Sequence, residues 1–382
     1  MTDIKTESVP GDEMQSKLLA ALEAYKAQVA LVESCIRAGR QTWALDTLKE
    51  LPRYEGELNA LLRSICYPGS LVSASALVLA APTTLVSSSE PAKSAAAGRV
   101  YTPPTPRQVM TALKKMFGHL PECTDQGDIV VVSFNGHLLD LAKAERLVEP
   151  LKWFISRGHI ILFQETNRDA LKFLSNETGY GLNVSHRNER GQAVGILFHP
   201  RIKWLNDPIY HDYLTDIPGH PEWKTTLRPA VQRRVRDLTS GLEFDVLDMH
   251  TKSNLGGPDE TAPIRELQFS MLMTNLAEQD KDGGLGRIII GGDMNAPIDN
   301  PATTETLPLV KGGFILVPNP DHRSTYFFKG EAKGQFDGFY TRGFKEGELG
   351  QLWIPEPLDA KAEKWYYREF TDHLPAFFTI RV

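Results

Sequence analysis

"IIIGGDMNAP", residues 288–297, runs three isoleucines and two glycines straight into Asp293 and Asn295. The apolar run has the length and β-branched content of a buried strand. Alternate residues of an extended chain share a face, so Asp293 and Asn295 would point the same way from its end. Burying a carboxylate there is costly unless it meets a metal or a hydrogen-bond donor. The plainer reading is a strand that closes in an Asx turn, which Asp and Asn favour by bonding their own backbone. The other strand ends have to separate the two.

Outward from this stretch, short apolar runs recur from about Asp128: "IVVVSF", "IILF", "AVGILF", "FDVLDM" and "AFFTI". Helical patterns such as "LLDLAKAERLVEPLKWFISRG" and "IRELQFSMLMTNLAEQ" lie between several of them. That alternation predicts an α/β domain with a substantial buried sheet. The runs end alike. "IVVVSFNG" delivers Asn135, "IILFQE" Glu165, "FDVLDMH" His250, "GQFDGFY" Asp337, and "FTDHLPAFF" places Asp372 and His373 before the last strand. Strand ends can converge on one rim while the core fixes them, so the set reads as a constellation. Its hard oxygen donors suit Mg²⁺, with Mn²⁺ able to substitute, and the lack of a thiol cluster or a His-x-x-x-His pair disfavours zinc. A histidine beside Asp372, with Asp337 available to hold its ring, suits charge stabilisation at a phosphate. The expected chemistry is water attacking a phosphoester.

In order, "VVSFNG", "ILFQE", "VLDMH", "GGDMN", "FDGFY" and "TDHLPAFF" resemble the endonuclease/exonuclease/phosphatase superfamily, the deoxyribonuclease I-like fold, over residues 128–382. "IREL" and Gln268 resemble that family's Arg-x-x-Gln helix start. The resemblance implies a four-layer α/β sandwich with the site at the upper edge of two packed sheets. Carried over by position, it implies that Glu165 and Asn135 hold the metal, with Asp372 near it. Asp293 would orient and deprotonate water, and Asn295 would bond the scissile phosphate. His373, held by Asp337, would stabilise the pentacoordinate phosphate, and His250 would contact it from the other side. Glu189, in "NERGQAVGILF", resembles the carboxylate that pairs with His250's counterpart in the deoxyribonuclease branch. Departures include Phe134 where an aromatic Trp is usual, and Asn135-Gly136-His137 where Asn-x-Asn is familiar.

The remaining chain bounds this reading. With 382 residues, 41% of them hydrophobic, the chain can build a large core beside an extension. A net charge of −6 gives no general attraction to nucleic acid. Three scattered cysteines, Cys35, Cys66 and Cys123, exclude a disulfide scaffold. Residues 1–66 predict a helical hairpin or a short coiled coil, from apolar steps at Leu18, Leu22, Tyr25, Val29, Val32 and Ile36. Self-association or a protein partner is expected there. Residues 67–107, rich in Ser, Ala and Pro, read as a linker, and 108–382 as the catalytic domain. No signal peptide or spanning segment stands out, so a cytoplasmic protein is expected. "RPAVQRRVR", residues 228–236, reads more as a solvated strand edge than as a grip on nucleic acid. A nuclease is the preferred function. The alternatives are an enzyme of phosphoinositide or sphingomyelin-type substrates and a domain used only for binding.

Overall fold

The computed structural model describes residues 104–382, except 189–190, 256, 282, 301–302, 329–330 and 359–364. The expected helical hairpin, residues 67–103 of the expected linker, and Glu189 therefore lie outside the described residues. The last linker residues are already folded. Thr105 accepts the Gln108 N–H, and the Gln108 side chain takes the Thr105 N–H, a capping box that starts helix α1 (Pro106–Phe117). Proline at the first helical position costs nothing, since that N–H has no helical partner. Val109, Ala112, Leu113, Met116 and Phe117 recur at helical spacing and are buried, whereas Lys114 and Lys115 face solvent.

Two mixed sheets follow. The first takes the strand order β14-β1-β2-β4-β3, from Ala376–Ile380, Ile129–Leu139, Ile160–Thr166, Ala193–Phe198 and Gly181–Val184. The second runs β10-β13-β9-β8-β7-β5, from Ile315–Leu316, Asp337–Arg342, Ile288–Asp293, Glu243–His250, Ala230–Asp237 and Ile202–Trp204. Strand β6 (Ile209–His211) also pairs with β7, and β11 (Tyr326–Phe328) and β12 (Glu331–Gly334) form a separate hairpin. Helices α2 (Leu141–Arg146), α3 (Val148–Ile155) and α4 (Arg168–Thr178) cover the first sheet, and α5 (Pro258–Lys281) and α6 (Leu307–Lys311) the second. The result is the expected four-layer α/β sandwich. None of the described helices is long and apolar enough to cross a membrane.

The opening stretch shows how the layers meet. Ile289 enters the core between the sheets, whereas Ile288 and Ile290 pack with Phe269, Leu272 and Leu276 of α5. A strand buried on both faces needs apolar residues at every position, which explains the unbroken run. Gly291 follows on the inter-sheet side, where a Cβ would come within 2.5 Å of Leu162 Cδ1 and 2.6 Å of Phe339 Cδ1. Gly292 has φ +130°, and a Cβ there would collide with the Met249 carbonyl. Only glycine fits either place. Asp293 continues the inter-sheet parity of Ile289 and Gly291, so its carboxylate emerges where the gap between the sheets opens at the rim.

Strand β7 is not an edge. It pairs with β8 on one side and with β5 and β6 on the other. This corrects the reading of residues 228–236 as a solvated edge. Arg233 is buried over the Trp204 ring, 4.5 Å from its centroid, and Arg228 is buried beside Gln192. Arg236 fits the solvated reading, half-buried Arg234 fits it in part, and both pair with Glu243.

Candidate active site

The register of the second sheet sets three side chains in a row. His250, last in β8, pairs with Asp293, last in β9, and Asp293 pairs with Asp337, first in β13. Adjacent strands lie about 4.8 Å apart, so such side chains are neighbours by construction. The first sheet contributes Asn135 from β1 and Glu165 from β2, parallel neighbours that end at the same rim. The Thr371–His373 segment closes the site. Thr371 Oγ1 donates to the Asn135 carbonyl at 2.8 Å and accepts the His373 N–H at 3.0 Å. Leu374 N–H bonds the Thr325 carbonyl, and Phe327 N–H the Asp372 carbonyl, so the segment is held from both sides.

Asp293 does two jobs at once. Its Oδ1 accepts the Asn295 N–H at 2.9 Å, an Asx turn, while its Oδ2 accepts Asn135 Nδ2 at 3.0 Å. The same Oδ2 lies 3.4 Å from His250 Nε2 and 3.7 Å from His373 Nε2. Both readings of the opening stretch therefore hold, one for each carboxylate oxygen. Asn295 adopts φ +47°, so it leaves the strand instead of repeating the Asp293 direction, and its Nδ2 bonds the Thr251 carbonyl. The expected common strand face is replaced by a turn that keeps both residues at the rim.

His373 Nδ1 bonds Asp337 Oδ2 at 2.6 Å, the short distance of a charge-assisted hydrogen bond. Burial alone would depress the imidazole pKa, but the Asp337 and Asp293 carboxylates outweigh it and raise it. His373 is therefore an imidazolium at neutral pH. Burial raises the Asp293 pKa, and Asp337 and Glu165 add to the rise against the opposing pull of His373. His250 goes the other way. Burial, then Arg228 and His373, push it well down, so it is a neutral imidazole, and its Nδ1 has no hydrogen-bond partner among the described residues. Glu189, expected to pair with it, is not among them.

Glu165 holds φ +49°, a strained setting for a residue with a Cβ, of the kind functional sites retain. Its side chain is 21% exposed and sits 4.0 Å from both Arg228 Nη2 and His250 Nε2, so this carboxylate, like that of Asp372, meets solvent beside the buried group. Asp372 pairs with His137 Nδ1 at 3.0 Å, and its pKa stays low because that bond and His373 overcome the effect of burial. Asn135 Oδ1 accepts the His137 N–H. Among the described residues at this rim, the four carboxylates of Glu165, Asp293, Asp337 and Asp372 outnumber the three cations of Lys143, Arg228 and His373. A divalent cation bound to oxygen fits that surplus of negative charge. Asp293, Asp337 and His373 place ligand atoms within 4.8 Å of one another. The His373–Asp337 bond already uses two of those atoms.

Sequence reasoning missed several groups. Arg228 lies just before β7, at the head of an arginine-rich run, and His137 replaces the familiar second Asn. The Arg265-x-x-Gln268 pair of α5 has a role that its motif did not disclose. Gln268 accepts the Lys252 N–H at 2.9 Å and Arg265 donates to the Lys252 carbonyl at 3.1 Å, fixing the chain two residues after His250.

A comparison with curated proteins finds no match. Solved structures similar to this chain include an endonuclease/exonuclease/phosphatase from Bacteroides vulgatus, at 12% identity and TM-score 0.49, covering 67% of this chain and 100% of that one. D. rerio TDP2 complexed with single strand DNA product gives 16% identity and TM-score 0.48, over 67% and 99% of the two chains. The Bacteroides thetaiotaomicron mannosyl-6-phosphatase gives 13% and 0.45, over 65% and 98%. The sequence model of the Endonuclease/Exonuclease/phosphatase family matches residues 133–354, more than half of the chain, and stops before the Thr371–His373 segment that the fold brings to the same rim. The chain thus belongs to the Endonuclease/Exonuclease/phosphatase family, whose reaction is the hydrolysis of phosphoester bonds.

Proposed function

We propose that this chain is a Mg²⁺-dependent phosphodiesterase that cuts nucleic acid. The observation that carries the reading is the meeting of Asp293 Oδ2 with Asn135, His250 and His373 at 3.0, 3.4 and 3.7 Å, behind a 2.6 Å His373–Asp337 pair. In this reading Asp293 takes the proton of the attacking water. Its raised pKa makes it a better base than an ordinary carboxylate at neutral pH. The His373 imidazolium donates from Nε2 to a phosphate oxygen as charge builds in the transition state. Asp337 keeps that ring charged and oriented. Neutral His250 donates from Nε2, and Asn295 bonds the phosphate from the turn.

Glu165, Asn135 and Asp372 would hold the metal, which, when bound, polarises the phosphate and stabilises its charge. Hard oxygen donors favour Mg²⁺, with Mn²⁺ substituting. The charge balance favours a diester. A dianionic monoester adds twice as much negative charge as a monoanionic diester to a rim already rich in carboxylates. Nucleic acid is the diester preferred here, with Arg228 beside Glu165 as a cation for its backbone.

The test is incubation of the purified chain with plasmid DNA, RNA and a phosphoinositide panel, first with Mg²⁺ and then with excess chelator. Cleavage of a nucleic acid that chelator abolishes is expected. Turnover of the phosphoinositides alone would replace the substrate, and full activity in chelator would remove the metal.

A further inference from the structure

We propose that Lys143 is a positioning residue for phosphoester hydrolysis, an ammonium clamp that joins the two segments carrying Asn135 and His373. Its Nζ donates to three carbonyls: Gly136 at 3.0 Å, His137 at 2.9 Å and Phe370 at 2.7 Å. These use all three of its N–H donors. It forms no ion pair with any described residue, although lysine usually turns its charge to water or a carboxylate. Burial lowers its pKa to about 8, the cost of holding a cation among dipoles.

What those carbonyls belong to gives the contact its meaning. Gly136 and His137 follow Asn135 directly, and the chain then takes two consecutive left-handed residues, His137 at φ +43° and Leu138 at φ +57°. Neither is glycine, so the corner is strained and needs an outside tie. Phe370 ends the π-helical turn Tyr366–Phe370, and the next residue is Thr371, which bonds both Asn135 and His373. One ammonium therefore spans the end of β1 and the start of the closing segment, and Lys143 itself lies 227 residues from Phe370 in sequence. Lys143 is itself placed by Asp140, whose carboxylate caps α2 through the Lys143 N–H at 2.7 Å. Releasing the clamp would orphan three carbonyls and let Asn135 and His373 drift relative to Asp293. Small misplacements of that kind cost rate more than binding.

The test compares Lys143→Met, which keeps the stem and removes the donors, with the unaltered chain. Turnover of bis(p-nitrophenyl) phosphate with Mg²⁺ gives kcat and KM, and proton NMR follows the low-field Nδ1–H of the His373–Asp337 pair. The expected result is a folded protein with kcat down about tenfold or more, KM nearly unchanged and the low-field resonance shifted or broadened. A kcat within about twofold of the original, or a loss confined to KM, would overturn the clamp. Should Lys143→Met not fold, Lys143→Gln, which retains two N–H donors, is judged on the same criteria. Should the unaltered chain not cleave this diester, that counts against the proposed function, and the resonance alone judges the clamp: unmoved in the folded variant, it overturns it.

Discussion

Asp248 and Asp293 are both buried aspartates of the second sheet, on adjacent strands, and burial raises the pKa of each. Their surroundings differ. Asp248 faces the first sheet, where Gln164 Nε2 donates to its Oδ1 at 2.7 Å and its Oδ2 has no hydrogen-bond partner among the described residues. Gln164 cannot change its charge. Asp293 sits at the rim among two histidines, with partly exposed Glu165 leading to solvent. A shifted pKa therefore marks burial, and burial alone does not make a base. Titratable neighbours and a path for substrate do.

Four substitutions would break or sharpen this contrast. Asp293→Asn should lower kcat about 10²-fold or more while the protein stays folded, read by steady-state kinetics and circular dichroism. Retention of more than about a tenth of the rate would remove Asp293 as the base. His373→Ala should cost on the order of 10²-fold, and the double variant should be far less than multiplicatively worse, because the two groups serve one transition state.

Asp337→Asn should be milder, about tenfold, since it acts through the ring that it holds. Its diagnostic is the pH profile. Asp337 helps to raise the His373 pKa, so without it the imidazolium is lost at lower pH and the alkaline limb of kcat must move down. An alkaline limb that stays in place would separate Asp337 from His373. Asp248→Asn should have the smallest effect, with kcat changed less than about threefold. Here the readout is stability. The folded pKa of Asp248 is raised, so its contribution is full below the unfolded value of about 3.9 and is lost as pH rises toward the folded value. Asparagine does not titrate. The melting midpoint of the variant relative to the original should therefore increase from about pH 4 to pH 8. A constant difference would mean that Asp248 is ionised in the fold.

Much of this architecture was readable from the residues, for identifiable reasons. The triple isoleucine and the two glycines of β9 encode burial on both faces and close approach, which are local properties of the chain. The polar residues that terminate each run were visible because a sheet places strand ends together. What remained hidden depends on contacts between distant segments. Nothing near Lys143 announces that its ammonium will meet the Phe370 carbonyl, and a lysine on a short polar helix reads as solvated. Arg233 was misread because alternation cannot distinguish an edge strand from one paired on both sides. His137 carried a visible departure from the family pattern, yet only the fold shows that it faces Asp372.

The row of His250, Asp293 and Asp337 has a kinetic consequence. These three belong to one sheet, Asn135 and Glu165 to the other, and His373 to a segment near the end of the chain. The site cannot exist in either sheet alone, since Asp293 meets Asn135 only once the two have docked, across 158 residues of sequence. Contacts of such long range form late and slowly, whereas helices such as α5 form from neighbours. During refolding, helical signal should return well before any turnover, so catalytic activity would report the final closure of the sandwich and little that precedes it.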